Sequence, residues 1–169
     1  MKILARKDFL GFVNALIRDS GLAVEGVKAK GLKFAFGSLE TAEDLRLDYD
    51  VTILPPKKYF LTQYETMMTF DLSSPFAVRQ PDFPARRVLI GVHPYDIAAL
   101  RQMDSYFLDT EMSTAYMKRR KNTLIIGSDI LAVPARAMFG CRGTGTVPSG
   151  VALFLTDLGE KVAIEIGSE

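Results

Sequence analysis

Two short stretches of this sequence hold most of the side chains that could take part in chemistry. The first, "HPYD", contains His93, Tyr95 and Asp96, and the second, the glycine-rich "AMFGCRGTGTVPSG", contains Cys141 and Arg142. Cys141 and His93 could form a nucleophile and its base, and the glycines beside Arg142 could hold an anion such as a phosphate. These residues define a possible loop-formed site for an enzyme or an anion-binding protein.

Each of these side chains also has a structural interpretation. A lone cysteine is more often a small buried apolar residue than a nucleophile, and no third group that would orient Cys141 and His93 is evident. The glycine-rich stretch lacks the spacing of a phosphate-binding loop, and it leads into a predicted strand rather than a helix. Asp96, near the start of a predicted helix, is favourable there because of the helix dipole. The residues alone leave the activity open.

The counts of cysteine and histidine exclude several kinds of site. The 169 residues contain one cysteine and one histidine. They cannot form an internal disulfide, a zinc site with four nitrogen and sulfur ligands, or an iron–sulfur cluster held by four cysteines of this chain. We therefore expect no metal and no cofactor in this segment.

The overall charge argues against nucleic acid as a partner. Lys and Arg number 21 and Asp and Glu 20, for a formal net charge of +1, so polyanions are not generally attracted. No apolar run is long enough to cross a membrane and the N-terminus lacks the features of a signal peptide, so we expect a cytoplasmic protein without a membrane span. The aromatic side chains after the Pro-Pro pair are predicted to lie in the core: Tyr59, Phe60, Tyr64 and Phe70.

Hydrophobic periodicity predicts the elements that position the two loops. In order, they are a helix at residues 6–20, strands at Val24–Lys28, Leu32–Phe36 and Thr66–Leu72, a buried strand at Arg86–Val92, helical segments at residues 94–108 and 110–120, a second buried strand at Asn122–Ser128, and a hairpin of Val151–Thr156 and Lys161–Ile166. Residues 38–50 are acidic and indicate a turn-rich segment. We therefore predict an α/β fold, with a single domain over residues 1–169. Its mixed sheet contains a parallel βαβ unit flanked by helices, with an N-terminal helix and a C-terminal hairpin.

The predicted βαβ unit brings the two reactive stretches together. Ligands of open α/β sheets bind beyond the carboxyl ends of the parallel strands. Both "HPYD" and the segment from Ser128 to Gly150 begin at such ends. The glycine-rich stretch is therefore expected near His93, Tyr95 and Asp96.

Several segments together resemble one electron-transfer family. They are "ILPPKKYFLTQYETMMTFD", then "VLIGVHPYDIAAL" with "MDSYFLD" and "YMKRRKNTLIIG", and finally "GVALFLTDLGEKVAIEIGSE". In order and spacing they are similar to the N-terminal half of the ferredoxin-type dicluster iron–sulfur proteins, which include the beta subunits of hydrogenases and sulfhydrogenases and a subunit of anaerobic sulfite reductases. The resemblance implies that the chain is the N-terminal half of a longer protein. The other half, or partner subunits, would carry the 4Fe-4S clusters.

The resemblance also points to four positions where family members often carry cysteine. This chain has Tyr95, Ile130, Ala137 and Phe139 there, and none of them supplies a thiol. Because both loops are expected at one edge of the sheet, the resemblance implies a former cluster pocket that lacks its ligands in this chain. Cys141 matches none of the four positions.

The function that the resemblance implies is a scaffold that docks onto redox partner subunits and is not itself a catalyst. The docking candidates are mostly basic: Lys57, Lys58, Tyr95, Arg119, Arg120 and Arg142. One alternative is an enzyme or small-molecule binder with His93, Asp96, Cys141 and Arg142 around an anionic ligand. Another is a structural module in which Tyr95, Ile130 and Phe139 fill the former pocket by packing.

Overall fold

The computed structural model of the protein describes residues 1–64, 66, 68–72, 77–79, 86–108, 114–146 and 149–167. In chain order the elements are β1 (Lys2–Ala5), α1 (Arg6–Ile17), β2 (Leu22–Lys30), β3 (Lys33–Ser38), β4 (Thr69–Asp71), β5 (Ala77–Arg79), β6 (Arg86–Val92), α2 (Pro94–Leu108), α3 (Thr114–Lys121), β7 (Thr123–Ser128), β8 (Leu153–Asp157) and β9 (Lys161–Ile166). Short 3-10 turns lie at Ala42–Asp44 and Pro56–Tyr59.

Seven strands form one mixed sheet in the order β1-β9-β8-β7-β6-β2-β3. The pairs β2 with β6, β6 with β7 and β7 with β8 are parallel, whereas the outer pairs are antiparallel. The strands β4 and β5 form a separate two-stranded sheet. The predicted α/β fold with a mixed sheet and a parallel βαβ unit is confirmed, and its parallel part extends over four strands.

The sheet is covered by helices on both faces. Phe9 and Val13 of α1 pack against one face, together with Val88 and Ile90 of β6. Leu89, the residue between them, belongs to the opposite face, where α2 and α3 pack. Successive side chains of a strand point to opposite faces, so a strand that is covered on both sides reads as a continuous apolar run, as β6 does.

The predicted elements agree with the structure to within a few residues in most cases. The strands Arg86–Val92 and Lys161–Ile166 have the predicted bounds, and the first helix ends at Ile17 rather than at residue 20. The strand predicted at Thr66–Leu72 is confined to Thr69–Asp71. Parts of two predicted segments, at residue 67 and at residues 110–113, lie outside the described residues.

Two features differ from the expectation. The strand β1 is new, and it pairs with β9. Of the aromatic residues predicted to lie in the core, Phe60 is fully buried, but Tyr64 is 97% exposed and Phe70 is 59% exposed. The core prediction is therefore wrong for Tyr64 and Phe70.

Candidate functional site

An irregularity in the register at the end of β6 precedes the buried His93. The register of β6 against β7 shifts between Ile90 and Val92, and Gly91 between them has a φ of 82°, a conformation that favours glycine. A β-carbon at Gly91 would also lie 3.1 Å from Leu47 Cδ2. The chain then enters α2 directly, so His93 lies between strand and helix with its side chain fully buried.

The His93 ring is held by two tyrosines. It stacks on Tyr49 with 3.9 Å between the ring centroids, and its Nδ1 lies 2.7 Å from the Tyr95 hydroxyl oxygen. The Tyr95 hydroxyl donates to the Asp50 carbonyl at 3.2 Å. The other ring nitrogen, Nε2, is buried and has no hydrogen-bond partner among the described residues.

Burial shifts two neighbouring groups at this position towards their neutral forms. Desolvation lowers the pKa of His93 to about 4, against the opposing charge of Asp50, so the imidazole is neutral at pH 7. Desolvation raises the pKa of Asp96 to about 6, against the opposing charge of Lys57. Asp96 lies in the first turn of α2, as predicted.

Tyr95 and Phe139 form the aromatic wall of a pocket beside this position. Their ring centroids are 5.9 Å apart and their planes differ by 20°. The pocket has a volume of about 460 Å³. Other lining residues come from α2 and from the loop before β8: Ala98, Ala99, Gln102, Pro134, Ala137 and Arg142. The pocket thus lies where the parallel strands β6 and β7 end, as expected for a ligand site of an α/β sheet.

The glycine-rich loop is folded so that Phe139 and Arg142 face the same pocket. The Thr144 amide and hydroxyl donate to the Phe139 carbonyl at 3.0 and 3.4 Å, and Gly143 has a φ of 65°. A β-carbon at Gly145 would lie 3.3 Å from Cδ2 of Phe139. The glycines therefore permit a tight turn that packs on the Phe139 ring.

Three of the four positions that the resemblance assigns to cysteine meet in this pocket. Tyr95, Ala137 and Phe139 line it, whereas Ile130 is not among its described lining residues. The stacking of Tyr95 on Phe139 is one part of the packing expected for a converted pocket. The remaining volume shows that the pocket is not filled.

Cys141 and His93 do not form a nucleophile–base pair. Cys141 is exposed, whereas His93 is buried with Nδ1 bonded to Tyr95. The expectation that Cys141 is a small buried residue is also wrong. Of the four residues predicted around an anionic ligand, His93, Asp96, Cys141 and Arg142, the described pocket lining includes Arg142.

The basic residues proposed for docking differ in accessibility. Arg119 is only 8% exposed, and its Nη1 donates to the Phe60 carbonyl at 3.2 Å. Arg120 forms an ion pair with Asp104 at 3.1 Å. The prediction that Arg119 serves as a docking residue is therefore corrected: its guanidinium joins α3 to the segment that ends at Phe60.

Lys57 and Lys58 lie in one 3-10 turn but in different environments. Lys57 is exposed. Lys58 Nζ donates to the Phe36 carbonyl at 2.6 Å, and it lies 4.8 Å from the centroid of the Tyr59 ring. Lys57 and Arg142 are thus the more accessible basic side chains of the predicted set.

Sequence reasoning missed Tyr49, which supports His93. Its hydroxyl donates to the Gly91 carbonyl at 2.7 Å, and its side chain is 1% exposed. The acidic composition of this segment predicts a turn, yet its alternating Leu45, Leu47 and Tyr49 are all buried. That alternation is the signal that could have found Tyr49.

The described part of the chain has no helix long and apolar enough to cross a membrane. It also has no group of three or more His, Cys, Asp or Glu side chains that could hold a metal ion. Neither observation identifies a ligand for the pocket.

Fold and site together define an α/β domain with an aromatic-walled pocket at the carboxyl edge of its parallel strands. The chain is 32% identical over 137 residues, 80% of its length, to sulfhydrogenase 2 subunit beta of Pyrococcus furiosus. This match supports the predicted resemblance to the hydrogenase beta-subunit-like family. The matched part spans 39% of the relative's length. No family model matches the chain, and no solved structure matches it.

Proposed function

We propose that this domain is the docking part of a redox subunit, and that it binds its partner in the assembly without holding a cluster itself. The observation that carries the proposal is the 32% identity to sulfhydrogenase 2 subunit beta. A protein named as a subunit works in an assembly. A homologous domain is therefore expected to present a surface to another subunit.

The surface that we propose is the rim of the aromatic-walled pocket. Lys57 is exposed and acts electrostatically on Asp96, at the start of α2. Arg142 is exposed and lines the pocket. Two accessible cations at one edge would attract an acidic partner surface and speed its association.

The absence of a cluster from this domain is supported by the side chains at the four positions described above. Three are apolar, and the fourth, Tyr95, uses its hydroxyl to bond His93 and Asp50. Iron–sulfur clusters are held by thiolates, with imidazole as the usual substitute. In this proposal the electron-carrying groups therefore belong to other parts of the assembly.

The proposal is tested by purifying the affinity-tagged chain from its native host and measuring the mass of the complex by native mass spectrometry. We expect an oxidoreductase subunit in a fixed ratio, and we expect the double variant Lys57→Glu, Arg142→Glu to lose it. The control Lys161→Glu changes an exposed charge on β9 and should keep the complex. A chain that purifies alone would contradict the proposal.

The enzyme alternative receives less support. Its nucleophile is exposed and its base is buried, so the two are not joined by a hydrogen bond. The other form of this alternative, a small-molecule binding site, is supported by the pocket. Of the residues predicted for it, His93, Asp96, Cys141 and Arg142, the described pocket lining includes Arg142.

A further inference from the structure

We propose that the pocket between α2 and the loop before β8 binds a planar aromatic anion, such as an aromatic carboxylate. The aromatic ring would lie against Tyr95 and Phe139, and the charged group would contact Arg142. The site shares Arg142 with the proposed docking surface, but it goes beyond that proposal because it requires only the residues of this chain.

The size and position of the pocket suit a small molecule. Its volume of about 460 Å³ lies within the range of about 300 to 1,000 Å³ that is usual for ligand sites. The short side chains of Ala98 and Ala99 on one side and of Ala137 on the other leave this space open. Longer side chains at these three positions would occupy it.

The aromatic wall is held in place before any ligand binds. The Tyr95 hydroxyl is fixed by His93 Nδ1 and by the Asp50 carbonyl. The Phe139 ring packs on Tyr95 and on the turn at Gly145. A rigid, flat, apolar surface favours a flat ring, because little conformational entropy is lost when the complex forms.

The charge of the ligand follows from Arg142. It is the one charged side chain among the described residues that line the pocket. In the described part of the chain no acidic side chain forms an ion pair with it. A guanidinium beside an apolar surface can bind a carboxylate through two parallel hydrogen bonds. Gln102 adds a neutral hydrogen-bonding group to the lining.

The test uses naphthalene-2-carboxylate as the probe and naphthalene-2-carboxamide as its neutral counterpart, each titrated into the purified chain by isothermal calorimetry. We expect the carboxylate to bind at one site and the carboxamide to bind about fivefold more weakly, the effect of one partly exposed charge pair. No binding of the carboxylate at millimolar concentration, or equal binding of the two probes, would overturn the proposal.

Three variants locate the binding site. Arg142→Gln should weaken the carboxylate about fivefold, whereas Arg136→Gln, an exposed arginine of the same loop outside the pocket lining, should leave binding unchanged. Ala98→Leu should abolish binding of both probes while the thermal midpoint of unfolding stays near that of the parent chain. If Arg142→Gln and Arg136→Gln weaken binding equally, or if Ala98→Leu still binds, the ligand lies elsewhere and the proposal is wrong.

Discussion

His93 and Asp96 contribute to stability with opposite dependence on pH. The folded-state pKa of His93 is about 4, below its ordinary 6.5, so the unfolded chain binds the proton first and stability falls as the pH drops from 6.5 towards 4. The folded-state pKa of Asp96 is about 6, above its ordinary 3.8. The folded chain therefore binds that proton first, and the contribution of Asp96 rises as the pH drops from 6 towards 4. The two effects should largely cancel.

Replacing Asp96 exposes the effect of His93. As the pH drops from 6.5 to 4, we expect the free energy of unfolding of Asp96→Asn to fall by about 2 kcal/mol more than that of the parent chain. Urea denaturation across this pH range measures it. Glu160→Gln, which removes an exposed carboxylate in the turn between β8 and β9, should keep the parent profile. An Asp96→Asn profile that is as flat as the parent's would show that the two pKa shifts do not oppose each other.

Arg119 is expected to affect stability rather than docking. Arg119→Ala removes a buried guanidinium that donates to the Phe60 carbonyl, so it should lower the free energy of unfolding by about 2 kcal/mol. Lys121→Ala, an exposed residue of the same helix, should change it by less than about 0.5 kcal/mol. Chemical denaturation compares them. Equal effects of the two substitutions would contradict the structural role.

The strands and helices were predictable where their pattern is local. The bounds of β6 are predictable because both of its faces are covered, which makes its sequence a continuous apolar run. The position of α2 followed from Pro94 at a permitted helix start. By contrast, β1 has four residues and only one partner in the sheet, β9 at the other end of the chain. No local sequence pattern predicts a pairing between such distant segments.

Close packing between β7 and its neighbours leads to a prediction about two glycines. A β-carbon at Gly127 would lie 2.8 Å from Phe154 Cδ2 and 3.0 Å from Ile97 Cδ1, so Gly127→Ala should destabilise the protein by about 1 to 3 kcal/mol. A β-carbon at Gly11 in α1 meets no atom within 4 Å, so Gly11→Ala should stabilise it by about 0.5 to 1 kcal/mol through helix propensity. Thermal and urea unfolding measure the direction of each stability change. A destabilising Gly11→Ala would contradict the described packing of α1.

For the molecule as a whole, the position of the candidate site can be predicted from the sequence, but the burial and contacts of its side chains cannot. The parallel strands correctly brought "HPYD" and the glycine-rich stretch to one edge of the sheet, because that follows from βαβ geometry. The pocket also needs Val51, and His93 needs Tyr49 from the segment whose composition predicts a turn. Burial of His93 thus involves a contact with a distant part of the chain. The nucleophile–base interpretation could not be tested before the fold was known.

The pocket gives a direct test of the family relationship at the level of the whole domain. If it occupies the place of a cluster site, restoring thiols should restore iron binding. We expect the variant Tyr95→Cys, Ile130→Cys, Ala137→Cys, Phe139→Cys to take up iron and sulfide on anaerobic reconstitution, with broad visible absorption, while the parent chain takes up neither.

Two comparisons make this experiment decisive. Adding Cys141→Ser to the four-cysteine variant should leave iron uptake unchanged, because Cys141 is exposed and is not among the described pocket-lining residues. A variant that keeps Ile130 should bind less iron, although Ile130 is not among the described lining residues, because four thiolates are needed to complete a cluster. Iron uptake by the parent chain would refute the cluster-free proposal. A folded four-cysteine variant without iron would instead separate this pocket from the cluster site that the resemblance implies, leaving a binding pocket with its own chemistry.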